Sequence, residues 1–323
     1  MALYLITGIG GFIGSSLARG FLARGENIRG IDNFATGKRE NLTEILDRID
    51  FREGSILDLG AMHKACQGVD YVLHQAAIPS VPKSVLDPVS SNQTNVDGTV
   101  NVLVAARDAK VKRVIFAASS SVYGDTPTLP KHEDMTPDPI SPYAVAKLAS
   151  EHYMISFYRC YKLETVALRY FNVFGPRQDP SSQYSGVMAK FISQMLNGQS
   201  PTIFGDGEQS RDFTYIDNVV EANLLACQAP AERAAGQVFN IATGRRITLN
   251  ETFRSLQGLT SYSGQANYGP ERGGDIKHSL ASIAKAEAAL GYRPKVDFEE
   301  GLRRTVAWYR ETGVGGQMAN VRT

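Results

Sequence analysis

Thr7-Gly8-Ile9-Gly10-Gly11-Phe12-Ile13-Gly14 is the stretch that most narrows what this chain can become. An apolar run, Ala2–Ile6, precedes it and reads as a buried strand. Phe12–Arg24 follows and reads as a helix stopped by Gly25. The glycines at 8, 11 and 14 follow G-x-x-G-x-x-G; the G-x-G-x-x-G form would need glycine where Ile13 stands. Each glycine has its own task. Gly8 permits a tight strand-to-helix turn, Gly11 lets a ligand approach bare backbone, and Gly14 lets helix pack on strand. The helix start, with the backbone of Phe12 and Ile13, then offers free N–H groups and a positive dipole end to phosphate.

The N-terminal half repeats that alternation. Asn27–Ile31, Asp70–His74, Val114–Ala118 and Thr165–Leu168 are strand-like, and Leu59–Cys66, Asn95–Ala109 and Tyr143–Tyr161 carry helical patterns. Strand and helix in this rhythm predict βαβ units, hence an α/β fold with a parallel sheet covered on both faces. Beyond Asn172 the rhythm breaks at Pro176, Pro180, Gly186, Pro201, Gly205 and Gly207, which predicts a smaller lobe. There Phe213–Cys227 reads as strand then helix, Val238–Ile241 as strand, Leu280–Leu290 as a helix ended by Gly291, and Gly313–Thr323 as a loose tail.

Lys plus Arg number 34 against 33 Asp plus Glu, so charge gives no reason to expect nucleic acid or an anionic membrane as partner. No apolar run reaches the roughly 18 residues of a membrane span. The apolar start lacks a basic leader, so the expected compartment is the cytoplasm. Three separated cysteines and five scattered histidines show neither a disulfide framework nor metal-ligand spacing, and no metal is expected.

Asp32 lies at the end of the second strand, 18 residues after Gly14. A carboxylate there takes both ribose hydroxyls of a dinucleotide and repels a 2′-phosphate, which favours NAD over NADP. Lys38 and Arg39 argue the other way, since either could meet a phosphate from the next loop. Asp58, after the third strand-like stretch, can accept from an adenine amino group.

Tyr143-Ala144-Val145-Ala146-Lys147 is Y-x-x-x-K, which on a helix puts both side chains on one face. A phenol titrates near ~10, and a shift of about three units needs roughly 4 kcal/mol of differential stabilisation. An ammonium one turn away, together with a positive nicotinamide ring, is expected to supply it and make Tyr143 a general base. Upstream, Ser119-Ser120-Ser121-Val122-Tyr123-Gly124 ends a strand on the carboxyl edge of the sheet, where ligands bind in open α/β folds. A serine there can relay a proton between substrate and Tyr143; Ser119 and Ser120 are both candidates.

Taken together, Gly8/Gly11/Gly14, Asp32, Asn95, Ser119–Gly124, Tyr143/Lys147 and Arg169-Tyr170-Phe171-Asn172-Val173-Phe174-Gly175-Pro176 resemble the extended short-chain dehydrogenase/reductase family. Within it the chain is most similar to the UDP-hexose and UDP-N-acetylhexosamine 4-epimerases. The resemblance implies a Rossmann-type doubly wound parallel sheet of about seven strands. Residues 1–172, with 213–242, would bind NAD; 173–212 and 243–323 would form a smaller lobe for a UDP-sugar. It implies that Asn33, Leu59, Gln75, Ala76, Ala77, Asn95 and Tyr170 join Tyr143 and Lys147 around the cofactor. It implies substrate contacts from Ser119, Ser121, Asn172, Val187, Phe204, Arg211, Arg272, Asp275 and Ser279. Two arginines suit a diphosphate on charge grounds alone. Ser279 matches a position where some relatives carry a tyrosine, so it leaves room for an N-acetyl group. Relatives pair as homodimers through two helices, here Asn95–Ala109 and Tyr143–Tyr161.

Two other readings compete. A 4,6-dehydratase or uronate decarboxylase also begins by oxidising C4, but usually carries a carboxylate near the serines, and none precedes Asp125 here; a uronate 4-epimerase lies closer to the main reading. A non-catalytic NAD-sensing protein would have no use for Tyr143, Lys147 and the serines together.

Overall fold

The computed structural model describes residues 1–180, 186–271 and 276–313. Arg272 and Asp275, and the tail beyond Gly313, lie outside them. The first half runs β1 (Leu3–Thr7), α1 (Phe12–Leu22), β2 (Asn27–Asp32), β3 (Asp50–Glu53), α2 (Leu59–Cys66), β4 (Tyr71–His74), α3 (Val81–Leu86), α4 (Pro88–Asn92), α5 (Gly98–Asp108), β5 (Arg113–Ser119), α6 (Pro142–Tyr161) and β6 (Glu164–Tyr170). Then come β7 (Val173–Phe174), α7 (Val187–Leu196), β8 (Thr202–Phe204), β9 (Ser210–Arg211), β10 (Thr214–Tyr215), α8 (Ile216–Gln228), α9 (Ala231–Ala234), β11 (Gln237–Ile241), β12 (Ile247–Thr248), α10 (Leu249–Thr260), β13 (Asn267–Gly269), α11 (Ala284–Leu290) and α12 (Phe298–Thr312).

Seven strands form one sheet in the order β11-β6-β5-β4-β1-β2-β3, every pair parallel. Alternate residues supply two cores. Ile6, Leu73 and Ile115 pack toward Leu17 and Phe21 of α1 and Val219 of α8. Their neighbours Leu5, Val72 and Val114 pack toward Met62 of α2, Leu103 of α5 and Met154 of α6. Apolar runs buried on both faces are what a parallel sheet needs. The chain proceeds outward from β1 through β2 and β3, then returns to β4 on the other side. This is a Rossmann-type doubly wound fold, and its switch point opens a crevice between the carboxyl ends of β1 and β4.

Two helices start later than the sequence suggests. α5 begins at Gly98, and the residues before it, Gln93–Asp97, make one π-turn holding the buried Asn95. The last turn of the expected 280–290 helix is real, but Ala281 and Ser282 are extended. Their N–H groups bond to Asp212 and the Lys131 carbonyl, so the helix starts at Ala284.

Beyond β6 the strands are short pairs: β7 with β10, β9 with β12, β8 with β13. One buried carboxylate joins these pieces. Asp212 accepts from the Thr243 N–H at 2.9 Å and hydroxyl at 2.7 Å, from Gly244 N–H at 3.0 Å and from Ala281 N–H at 3.2 Å. Burial pushes its pKa up, and these donors pull it back. Removing the acceptor strands buried donors at about 1–3 kcal/mol each. Asp212→Ala is therefore expected to lose about 3 kcal/mol or more in urea unfolding, whereas Asp47→Ala on the exposed 46–48 turn changes stability by under about 0.5 kcal/mol.

Candidate active site

The glycine segment sits at the switch point. Gly8 has φ +69°, and a Cβ there would stand 2.7 Å from the Ala76 backbone, so the loops after β1 and β4 touch. A Cβ on residue 14 would lie 2.2 Å from the Gly8 carbonyl oxygen, which is why helix and strand can meet. At Gly11 the nearest atom is that same oxygen at 3.2 Å, leaving the outer side of the turn open. No side chain caps the start of α1. A bare turn before an uncapped helix fits a pyrophosphate.

Asp32 is buried, with one carboxylate oxygen on Gly10 N–H at 2.8 Å and the other on Phe34 N–H at 2.7 Å. The carboxylate is thus held at the edge of the glycine turn, and Asn33 is exposed beside it. Lys38 is paired with Asp179 at 2.9 Å; Arg39 is paired with Glu53 at 2.7 Å and lies 4.2 Å over the Phe34 ring. Both cations that could have met a 2′-phosphate already face carboxylates. Asp58 caps α2 through Ala61 N–H at 2.9 Å; it and Leu59 are surface residues.

Gln75, Ala76 and Ala77 continue from β4. Ala76 N–H donates to the Thr7 hydroxyl at 3.2 Å, and Gln75 Nε2 reaches the Tyr170 hydroxyl at 3.4 Å. Asn223 of α8 donates to the same hydroxyl at 2.8 Å, and burial pushes the Tyr170 phenol up to about 12. Asn95 grips the Ile78 backbone at both ends, accepting at 2.8 Å and donating at 3.3 Å.

A buried polar chain that the sequence did not reveal joins these loops to α6. The Thr99 hydroxyl donates to the Asn95 carbonyl at 2.6 Å, so it must accept from His74 Nε2, 3.0 Å away. His74 Nδ1 then accepts from the Thr7 hydroxyl at 2.7 Å. Burial, with the Lys147 charge adding to it, drives the His74 pKa down to about 3, so the ring stays neutral. The Asn95 carbonyl also takes the Ser150 hydroxyl of α6 at 2.8 Å.

α6 starts with Ser141 as N-cap, accepting from Ala144 N–H, and Pro142 in its first turn. The Tyr143 N–H, an orphan donor of that turn, goes to the buried Ser84 hydroxyl of α3 at 3.0 Å. Tyr143 is half-buried, and the Ser119 side chain lies close enough to its phenol to lower the phenol pKa. Ser119 in turn accepts from the Ser121 N–H at 3.2 Å and hydroxyl at 2.9 Å. Of the two candidate serines, Ser119 is the one brought to Tyr143. Lys147 Nζ donates to the Ala117 carbonyl at 2.8 Å and lies 4.7 Å over the Phe116 ring and 6.0 Å from the Tyr143 ring.

Burial acts on both members of the pair. In the chain by itself it raises the Tyr143 pKa, with the neighbouring Ser119 side chain opposing. It also lowers Lys147 to about 8, with the Glu151 charge opposing, so the amine stays mostly charged at neutral pH and loses its proton as the medium turns alkaline. The lowering of the phenol expected from the sequence also counted a positive nicotinamide ring beside it.

Next to the end of β6 a cavity of about 400 Å³ is lined by Asn172, Val187, Phe204 and Arg211, four of the expected substrate residues. Lys190, Phe191, Gln194, Thr202, Gln209 and Leu249 complete its wall. The sequence missed these six, although Val187–Leu196 and Leu249–Thr260 are amphipathic helices. Asn172 adopts φ +35°, which turns the chain out of β6 toward the cavity. Ser279 pairs its N–H with the Ser210 carbonyl at 3.0 Å beside Arg211, and is not on the cavity wall.

Comparison with known proteins agrees with this geometry. The profile of the NAD dependent epimerase/dehydratase family matches residues 4–242. A UDP-N-acetylglucosamine 4-epimerase from Methanobrevibacter ruminantium, solved in complex with UDP-N-acetylmuramic acid, is 41% identical, with 96% of this chain and 99% of that one covered and a TM-score of 0.91. The UDP-glucose 4-epimerase of Thermotoga maritima, solved with UDP-glucose, is 40% identical at a coverage of 96% and 99% and a TM-score of 0.91. The UDP-glucose 4-epimerase of Mycolicibacterium smegmatis is 37% identical over 310 residues, 95% of this chain and 98% of its own length. With the glycine turn, Asp32 and the Ser119–Tyr143–Lys147 cluster all in place on a matching fold, the chain belongs to the NAD-dependent epimerase/dehydratase family.

Proposed function

We propose that this enzyme inverts C4 of a UDP-hexose, acetylated or not at C2, using NAD that stays bound through the cycle. The observation that carries the reading is the approach of Ser119 to the Tyr143 phenol at the carboxyl edge of β5, with Lys147 one helical turn away. When bound, NAD takes the C4 hydride and returns it to the opposite face of the sugar, so the net redox change is zero. Phe12, Ile13 and the glycines around them hold the pyrophosphate and Asp32 a ribose. The 1–172 and 213–242 segments form the cofactor unit, and 173–212 with 243–323 the sugar-nucleotide lobe.

The residues divide the proton work. Tyr143 takes the proton from the C4 hydroxyl as the 4-keto sugar forms and gives it back after the ketone turns over. The Ser121 hydroxyl donates to Ser119, which orients the Ser119 proton toward the phenolate oxygen and stabilises it. Lys147 contributes charge beneath the phenol. Asn172, Phe204 and Arg211 line the cavity where the nucleotide end docks. A dehydratase needs a further acid–base pair, and Ser119-Ser120-Ser121 provides no carboxylate for it. Two 4-epimerase relatives, one solved with UDP-glucose and one with UDP-N-acetylmuramic acid, support the substrate class.

A second copy of the chain is the expected partner. Val85, Leu86 and Val89 on α3 and α4, with Val145 and Tyr153 on α6, are exposed apolar residues of three adjacent helices. On α5, Val102 and Leu103 point into the core, while Val100 and Val104 are half-buried on another face. We place the dimer face on α6 and the 95–109 helix, with α3 and α4 beside them. Sedimentation is expected to show a dimer, and Leu86→Asp with Val89→Asp a monomer.

The reaction itself is tested by incubating the purified protein, without added NAD, with UDP-glucose, UDP-galactose and their N-acetyl forms and separating the products. One pair at least is expected to interconvert; inertness toward all four removes the reading. Tyr143→Phe should lower kcat by about 10³-fold with KM little changed. Ser119→Ala should cost about 10²-fold and Ser120→Ala almost nothing, and equal activity of Ser119→Ala and wild type would reject Ser119 as the relay.

A further inference from the structure

We infer that Glu151, held in place by Arg169, is the positioning residue that keeps the Lys147 amine charged inside the protein. Tyr143, Lys147 and Glu151 follow one another at intervals of four along α6 and so form a single stripe. Lys147 is 3% exposed and Glu151 2% exposed. Among the described residues Lys147 makes no direct ion pair; its amine rests on the Ala117 carbonyl and the Phe116 ring. Both Glu151 oxygens are taken by Arg169 of β6, through Nε at 3.1 and 3.2 Å and Nη2 at 2.7 Å. The guanidinium stands 4.7 Å from the Tyr123 ring, and its Nη1 finds no hydrogen-bond partner. The clamp is thus incompletely satisfied, and a buried pair of this kind adds little to stability over an apolar replacement. Charge is the better reason for its presence.

The groups facing Lys147 can be named from each side. On α6 they are Tyr143 and Glu151. From β4 comes His74, which is neutral for the reasons above. From β5 come only Phe116 and the Ala117 carbonyl, and from β6 comes Arg169, on the far side of Glu151. Lys83, Asp87 and Asp97, on the flanking α3, α4 and π-turn, are at the surface. Glu151 is therefore the one carboxylate among these that opposes the burial of the amine. Two consequences have the same sign. Neutralising Glu151 leaves two cations in a dry interior, and Lys147 gives up its proton at lower pH. Removing the Arg169 charge leaves Glu151 buried without its counter-ion; burial then favours the neutral carboxyl, its field at Lys147 is lost, and the amine again gives up its proton at lower pH. A purely structural pair would produce neither shift.

The value of that charge for catalysis rests on the epimerase reading; the protonation of Lys147 does not. The test is a titration of the Lys147 ε-carbon by NMR in protein carrying ¹³C-lysine, the signal assigned by its loss in Lys147→Arg. Wild type should titrate near 8. Glu151→Gln should move the midpoint down by about one pH unit or more, a tenfold change in proton affinity, and Arg169→Met should move it down as well. Glu151→Asp, which keeps the charge, should hold it within a few tenths, and the alkaline limb of kcat/KM should follow each variant. A midpoint that stays in place or moves up in Glu151→Gln or in Arg169→Met overturns the inference. Where circular dichroism shows Glu151→Gln unfolded, an unmoved midpoint in Arg169→Met overturns it alone. Shifts of the expected sign in a protein that turns over no UDP-sugar would strike the functional reading and leave this one standing.

Discussion

Everything at this site depends on the absence of a side chain where β1, α1 and β4 converge. The Gly8 carbonyl oxygen occupies the space a Cβ at residue 14 would need, and the Ala76 backbone occupies the space a Cβ at residue 8 would need. Two missing methyl groups bring a helix start and two strand ends to within van der Waals contact. From that contact follow the open phosphate-facing turn, the placement of Asp32 beside it, and the crevice at the switch point. The catalytic helix is then set against the same edge by different means: Ser84 on its first turn, Ser150 on its third, and the Lys147 amine on the β5 carbonyl.

The second constraint is electrostatic. Tyr143, Lys147, His74, Glu151 and Arg169 crowd a region that water scarcely enters. Burial penalises every charge there, and the penalties differ in sign for acids and bases. It silences the histidine, lifts the phenol and weakens the lysine. A positive charge brought beside the phenol would pull its pKa back down.

Much of the sheet was legible because buried parallel strands are short and apolar. The 59–66 helix was read with its observed ends, since Asp58 and Gln67 flank a clear amphipathic turn. The second half was harder. α10 opens with Thr248 and Glu251 in a reciprocal capping box, a T-x-x-E signal present in the sequence and overlooked. α3 and α4 are six and five residues long, too short for periodicity to register. The spacing of four puts Tyr143 and Lys147 on one helix face, whereas the strand end left Ser119 and Ser120 side by side as candidates. Ser84 lies 59 residues from Tyr143, and the His74 chain spans residues 7 to 99. No local pattern announces partners so far apart. The rise in the Tyr143 pKa was missed for a related reason: spacing along a helix says nothing about how dry the helix face is.

The threonine–histidine chain from Ala76 to Asn95 has a fixed sense. Each hydroxyl and the imidazole donates once and accepts at least once, and the run stops at a backbone carbonyl, which has no proton to pass on and no basicity to gain one. It is a strut and not a conduit. It braces the loops after β1 and β4 against the π-turn before α5, and its last link, a carbonyl, offers a proton no onward path.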